Sequence, residues 1–195
     1  MATSALIPIH INKGKSIAKT LFLRTDYAMN PVKTEGGRLV VSFGCDPRTV
    51  DAEFLLAKRE YEYLTGRNQG SRNILAYHLR LSFKPGEITP EKALDVGYET
   101  AIRWTKGKHA FIVAVHTDRE HVHCAIVYNS TTLDCQNKYN NFKNSFIALR
   151  RLSDIICAEH GLSVIEKPKP KSVRKPFLTL MSWRRGITYT SRKRR

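Results

Sequence analysis

Alternation between apolar and polar residues predicts the strands of this chain. The strongest case is residues 73–83, where every second position is apolar: Leu75, Tyr77, Leu79, Leu81 and Phe83. This is the period of a strand with one buried face, and it places His78 and Arg80 together on the more polar face. Runs rich in β-branched residues predict further strands at 5–11, 38–44, 110–116 and 121–129, with a last short strand at 162–166.

Helical spacing of apolar residues separates these strands. Ser16 is a candidate N-cap for a helix that Pro31 stops, and Thr89 followed by Pro90 marks another helix start. Either Thr49 or Asp46 can cap a helix that runs to Gly66, and a fourth helix covers residues 144–161. The predicted order β-α-β-α-β-α-β-β-α-β favours an α/β fold, with a central, largely antiparallel sheet flanked by helices.

The distribution of charge divides the chain. It has 195 residues and a net charge of +16, which favours a polyanionic partner such as nucleic acid or an anionic membrane surface. Residues 167–195 hold 11 basic and no acidic side chains, and they begin with alternating Lys and Pro. We therefore expect one domain over residues 1–166 and a basic, flexible tail over 167–195.

Cysteine spacing and hydropathy bear on the compartment. The four cysteines, at positions 45, 124, 135 and 157, form no C-x-x-C pair, and a chain of this length does not need disulfides. No apolar run approaches the roughly 18 residues that span a bilayer, and the first residues lack a signal-peptide pattern. These features predict a soluble protein in a reducing compartment, without membrane insertion.

Three histidines lie close together in the segment His116 to His123. If a four-residue loop, 117–120, joins the two strands, His116 lies opposite His121 and His123 is its diagonal neighbour at roughly 7–8 Å. Three imidazoles on one face can bind a divalent metal and leave positions open for a substrate oxygen, with Asp118 orienting one ring. Solvated histidines, or a patch that contacts phosphate without metal, are the alternatives.

Four blocks of the sequence resemble the relaxases, the mobilisation nucleases of the HUH endonuclease superfamily. HTDREHVHCAIVYN resembles their histidine motif, and DYAMNPVKTEGG resembles their tyrosine motif. The similarity is to the P-type class found in conjugative transposons of Gram-positive bacteria. It continues through YHLRLSFKPGEITPEKA and RRLSDIICAEHGLSVIE, so it covers residues 1–166 in consistent order.

The resemblance implies a chemistry. Relaxases nick one DNA strand at an origin of transfer, and the match assigns Tyr27 as the nucleophile that forms a 5′-phosphotyrosyl bond and frees a 3′-OH. It implies a divalent ion, Mg²⁺ or Mn²⁺, at the three histidines, with Asp118 or Glu87 as the acidic partner. A protonated phenol is a weak nucleophile at neutral pH, so an ion that neutralises the scissile phosphate fits this role.

The resemblance also implies partners. These are single-stranded origin DNA, an accessory DNA-binding protein and a type IV coupling protein, and we expect a monomer in the bacterial cytoplasm. Candidate phosphate contacts in a basic groove are Arg24, Lys33, Arg80, Lys84 and Arg150. A rolling-circle replication initiator and a nucleic-acid-binding module without nuclease activity are the alternative functions.

Overall fold

Five strands and four helices form the part of the protein that the computed structural model describes, residues 2–68, 70 and 73–164. The elements occur in the predicted order, except for the last strand. Their bounds are β1 Thr3–Ile9, α1 Ile17–Ala28, β2 Val40–Phe43, α2 Val50–Thr65, β3 Ala76–Ser82, α3 Pro90–Thr105, β4 Phe111–His116, β5 His123–Asn129 and α4 Ser145–Glu159.

The strands form one sheet in the order β1-β3-β5-β4-β2, and every neighbouring pair is antiparallel. This confirms the predicted fold class. Strands β4 and β5, which carry His116 and His123, are adjacent, and β5 is the central strand of the sheet. His123 is therefore paired on both sides, with Ser82 of β3 and with His116 of β4.

Helices cover both faces of the sheet. Residues from α1 and α2, such as Leu21 and Phe54, pack with Ile112 and Val127 on one face. Residues from α3 and α4, such as Val96 and Leu149, pack on the other face, together with the larger cluster of buried apolar residues. Because successive strand residues point to opposite faces, His116 and His123 share the face covered by α1 and α2.

Helix boundaries follow the predicted start and stop residues. The Ser16 Oγ accepts a hydrogen bond from the Lys19 N–H (3.1 Å), and Thr89 caps α3 in the same way, with Pro90 in the first turn. Of the two candidates for α2, Thr49 is the N-cap. Gly66 ends that helix in the left-handed conformation (φ 65°), where other residues are strained.

Two details of the prediction are wrong. His116 pairs with His123 instead of His121, and the β4–β5 connection has six residues, 117–122, instead of four. The Val122 carbonyl accepts a hydrogen bond from the Phe83 N–H (3.0 Å), so this segment leaves the β4–β5 ladder and bonds to the end of β3. Residues 162–164 form no strand; among the described residues there, Ser163 accepts one bond from the Ala2 N–H.

Other expectations have mixed outcomes. All four cysteines are free thiols, as their spacing indicated. No helix among the described residues is long and apolar enough to cross a bilayer. The chain divides into two units at residues 165 and 166, and the described residues all belong to the first. The expected flexible tail, 167–195, lies outside the described residues.

Candidate active site

Two imidazole nitrogens, one on the buried His116 and one on the partly buried His123, face each other at the end of the central strands. His116 Nδ1 lies 3.1 Å from His123 Nε2, and the two rings meet edge to face with centroids 4.8 Å apart. The pair follows from the register, because directly opposite residues on antiparallel strands are the closest side-chain neighbours across a sheet.

The end of helix α1 fixes the His116 ring. Its Nε2–H donates a 2.8 Å hydrogen bond to the Ala28 carbonyl, one of the helix-terminal carbonyls that have no partner within the helix. With the proton on Nε2, the Nδ1 atom carries the lone pair that points toward His123. This is the arrangement of a metal-binding histidine, whose second nitrogen donates to a carbonyl.

Asp118 completes a group of three possible metal ligands. One ligand atom from each of His116, Asp118 and His123 lies within 4.8 Å of the other two. Asp118 belongs to the β4–β5 connection, which the Thr117 N–H ties to the Lys33 carbonyl (3.0 Å). From the sequence, Asp118 is expected to orient one of the histidine rings. The observed distances also allow its carboxylate to bind an ion directly.

Burial keeps these histidines neutral. It lowers the pKa of His123 to about 4, with repulsion from His116 adding to the effect, and it lowers the pKa of His116 as well. A neutral imidazole is the form that binds a metal ion, since protonation removes the lone pair. The site is therefore ready to bind a cation at neutral pH without first releasing a proton.

The distance between the two nitrogens fits a shared ion. Two imidazole ligands at about 2.0–2.1 Å from a metal, with an angle of about 90–110° between them, are separated by about 2.9–3.4 Å. The observed 3.1 Å falls within this range. His116 and His123 could therefore both bind one divalent ion.

Tyr27 lies beside this group, on the last turn of α1. Its ring meets the His116 ring edge to face, with centroids 6.2 Å apart, and 53% of the residue is exposed. Lys33 Nζ lies 3.9 Å from the centroid of the Tyr27 ring and 3.8 Å from an Asp118 carboxylate oxygen. An accessible phenol thus adjoins the possible metal ligands, with one lysine between them.

The third predicted ligand, His121, is outside the His116–Asp118–His123 group. Its ring centroid is 5.7 Å from that of His123. Together with Arg80, Lys84 and Arg119 it lines an open cavity of about 740 Å³ next to the site. This places two of the predicted phosphate contacts in a basic cavity beside the histidines.

The other predicted residues are spread out. Arg24 is on α1 and shares a smaller cavity with Tyr27. Glu87 is on the β3–α3 connection, where its carboxylate accepts a hydrogen bond from the Ser163 N–H (2.5 Å), and it is not a member of the ligand group. Arg150 pairs with Asp154 (3.7 Å) on α4, which packs on the opposite face of the sheet from the histidines.

Sequence reasoning gave no role to His78, which shares the cavity with Arg24 and Tyr27. Its Nε2 is buried and has no hydrogen-bond partner among the described residues. Burial, followed by repulsion from Arg80, lowers the pKa of His78 to about 4. The alternation of β3 placed this residue on the polar face, but nothing in the sequence indicated that α1 would cover it.

Comparison with known proteins identifies the class. Residues 27–162 match the model of the MobA/VirD2-like relaxase nuclease domain, and this span starts at Tyr27 and includes all three clustered histidines. The chain therefore belongs to this relaxase family, as the sequence motifs indicated.

Individual relatives agree with this assignment. Protein rlx of Staphylococcus aureus is 39% identical over 111 residues, which are 57% of this chain and 34% of that protein. The group II intron-interrupted relaxase LtrB of Lactococcus lactis subsp. cremoris (strain MG1363) is 28% identical over 201 aligned positions, covering 85% of this chain and 34% of the relative. The chain thus spans about a third of the length of these relatives.

A solved structure shares the fold. This structure, "Molecular Basis of Vancomycin Resistance Transfer in Staphylococcus aureus", matches with a TM-score of 0.50 and 13% identity. The match covers 84% of this chain and 96% of the solved chain. At this identity the similarity extends to the fold alone, and it supports the antiparallel α/β assignment.

Proposed function

We propose that this protein nicks one strand of DNA at an origin of transfer and rejoins it, through a 5′-phosphotyrosyl bond to Tyr27. The observation that carries the proposal is the placement of an exposed tyrosine against a pair of neutral histidines that can share a metal ion. Relaxase family membership supports DNA nicking in general, and the choice of nucleophile rests on the motif and on this geometry.

In this reaction the Tyr27 Oη forms a bond to phosphorus while the bond from phosphorus to the 3′-oxygen breaks. The phenol loses its proton and the departing 3′-oxygen takes one up, so the step is balanced and no external energy source is consumed. Because the phosphotyrosyl bond is a diester like the one it replaces, attack by a 3′-OH restores the strand and the free tyrosine. Nicking and rejoining are then the same reaction in opposite directions.

His116 and His123 would hold a divalent ion, which would neutralise charge on the scissile phosphate and make phosphorus more susceptible to attack. We propose His121 as the third ligand, as the motif implies, because its ring centroid lies 5.7 Å from that of His123 at the wall of the basic cavity. Asp118 is the competing third ligand on the observed distances. The hydrogen bond from His116 Nε2–H to the Ala28 carbonyl keeps the Nδ1 lone pair directed toward His123. Tyr27 directly precedes Ala28 in the chain.

The basic cavity is the proposed path of the DNA strand away from the nick. Arg80 and Lys84 line it together with His121, and no acidic side chain is among its described lining residues. Positive side chains contribute affinity for the DNA backbone irrespective of sequence. Arg24 lines the smaller cavity together with Tyr27 and can contact the adjoining phosphate.

The test is cleavage of labelled single-stranded origin DNA in the presence of Mn²⁺, resolved on a denaturing gel. We expect a protein-linked fragment from the wild type that disappears with a chelator, in Tyr27→Phe and in His116→Ala. Tyr63→Phe is the matched control, because Tyr63 is an 85% exposed tyrosine on α2. This variant should cleave DNA as the wild type does. Binding without any covalent product would favour a DNA-binding module over a nuclease.

A further inference from the structure

A small cavity between helix α1 and the sheet has a buried polar atom without a partner among the described residues. The cavity has a volume of about 240 Å³ and is formed on the sheet side by Ile7, His78 and Val127. These three residues are directly paired across β1, β3 and β5, so they form one continuous wall. Arg24 and Tyr27 close the cavity from α1.

The unpartnered atom is His78 Nε2. A buried ring nitrogen without a hydrogen bond costs about 1–3 kcal/mol, so such an atom in a cavity wall indicates a ligand that supplies the missing bond. The walls beside His78 on the sheet side are the apolar side chains of Ile7, Pro8 and Val127, which offer a water molecule no second hydrogen bond there.

The chemistry of the walls selects a nucleobase. Apolar side chains and the aromatic ring of Tyr27 suit a flat, weakly polar ring, and His78 offers one hydrogen bond to its edge. A phosphate group is disfavoured at the sheet side of the cavity, because His78 is neutral and the aliphatic side chains of Ile7 and Val127 offer a buried anion no hydrogen bond. Arg24, which closes the cavity from α1, can hold the phosphate of the same nucleotide. The volume is below the 300–1,000 Å³ typical of drug-sized ligands, which agrees with one base and not a dinucleotide.

We propose that this cavity binds one base of the DNA strand, from a nucleotide adjoining the phosphate that Tyr27 attacks, and that His78 hydrogen-bonds the edge of that base. The inference rests on the proposed function, because it takes Tyr27 as the nucleophile. It makes His78 a specificity-determining residue that anchors the strand on one side of the nick. A base lodged against the Tyr27 ring also places the neighbouring phosphate near the Tyr27 hydroxyl.

The experiment uses a library of single-stranded DNA with a random central segment, incubated with the protein and Mn²⁺. Covalently linked fragments and their released partners are sequenced to give the base preference at each position around the nick. We compare the wild type with His78→Phe, which removes both ring nitrogens at similar volume. His10→Phe is the control, because it makes the same replacement at an exposed histidine directly after β1.

The expected result is a strong base preference at one position within two nucleotides of the nick that falls at least tenfold in His78→Phe. Preferences at other positions should persist, and His10→Phe should keep the full pattern. Ile7→Trp fills the same cavity from β1 without changing His78, and it should erase the same preference. The libraries are also selected by binding alone, in a Tyr27→Phe background, so that a variant that cleaves poorly still gives a pattern.

An unchanged pattern in both His78→Phe and Ile7→Trp, in cleavage and in binding, would overturn the inference and leave the nuclease intact. Failure of the wild type to form any covalent product would instead overturn the proposed function. The two failures are therefore distinguishable within one experiment.

Discussion

The sequence and the structure predict different roles for Lys33. The sequence suggested a phosphate contact, whereas the structure places its ammonium 3.9 Å from the Tyr27 ring centroid and 3.8 Å from Asp118. Only 19% of the side chain is exposed. We therefore expect Lys33 to hold the nucleophile in position beside the histidines, so that its loss slows the reaction more than it weakens DNA binding.

The magnitude follows from the two contacts. A partly buried cation–π contact contributes about 0.5–2 kcal/mol, and an ion pair with partial exposure contributes about 0–1 kcal/mol. Replacing Lys33 with Met keeps the aliphatic stem and removes both contacts, a loss of about 1–2 kcal/mol in the placement of the Tyr27 ring. Because each 1.36 kcal/mol is a factor of ten in rate, cleavage should slow by about 5- to 30-fold.

The assay is single-turnover formation of the covalent product at saturating DNA, using a sequence recovered from the random library, with the dissociation constant measured separately by fluorescence anisotropy. Lys33→Met should slow the saturated rate and leave the dissociation constant within twofold, and Lys33→Arg should recover part of the rate. Lys19→Met is the control, since Lys19 contacts Phe22 on the same helix. Weaker DNA binding by Lys33→Met with an unchanged saturated rate would refute this reasoning. In that case the salt dependence of DNA binding would also fall by about one phosphate contact.

Three further predictions follow from the site and the core. If His121 is the third ligand, His121→Ala should weaken Mn²⁺ binding in calorimetry at least tenfold while Asp118→Asn has a smaller effect; the reverse order would assign that role to Asp118. His78 is neutral when folded and has an unfolded pKa near 6.5, so protonation of the unfolded chain reduces stability as pH falls from 6.5 toward 4. His78→Phe should therefore lose less unfolding free energy than the wild type between pH 7 and pH 5, by at most about 2 kcal/mol, measured by urea titration without metal. The same pH dependence in both proteins would contradict the conclusion that His78 is neutral when folded. Ile126→Ala should lower the unfolding free energy by about 2–5 kcal/mol in the same titration, because this fully buried residue packs in the core on the face of the sheet opposite the histidines. At 20 °C the variant should bind Mn²⁺ normally, and weakened binding would show that the two faces are coupled.

Much of the fold could be predicted because it depends on local patterns. Alternation in β3 identified the buried face of that strand, and the caps at Ser16 and Thr89 located helix starts. Alternation also placed His116 and His123 on one face, even though the register was wrong by two residues. A shift of two preserves the face of every side chain, whereas a shift of one reverses it.

The features that the sequence did not predict depend on contacts between distant segments. The β4–β5 connection is two residues longer than predicted, because the Val122 carbonyl accepts a hydrogen bond from the Phe83 N–H. No local sequence pattern encodes that hydrogen bond. Residue chemistry alone does not distinguish Tyr27 from the other tyrosines, and its selection came from the family motif. The unsatisfied nitrogen of His78 arises only when α1 closes over β3, so it was visible only in the three-dimensional structure.

The most direct test of the account is identification of the residue that becomes joined to DNA. After reaction with labelled origin DNA and Mn²⁺, nuclease and trypsin digestion should leave the peptide of residues 25–33, which contains a single tyrosine, carrying the remnant nucleotide. We predict that fragmentation of this peptide in a mass spectrometer places the added mass on Tyr27. A modified peptide at any other tyrosine, or strand cleavage with no modified peptide at all, would contradict the assignment of Tyr27 as the nucleophile.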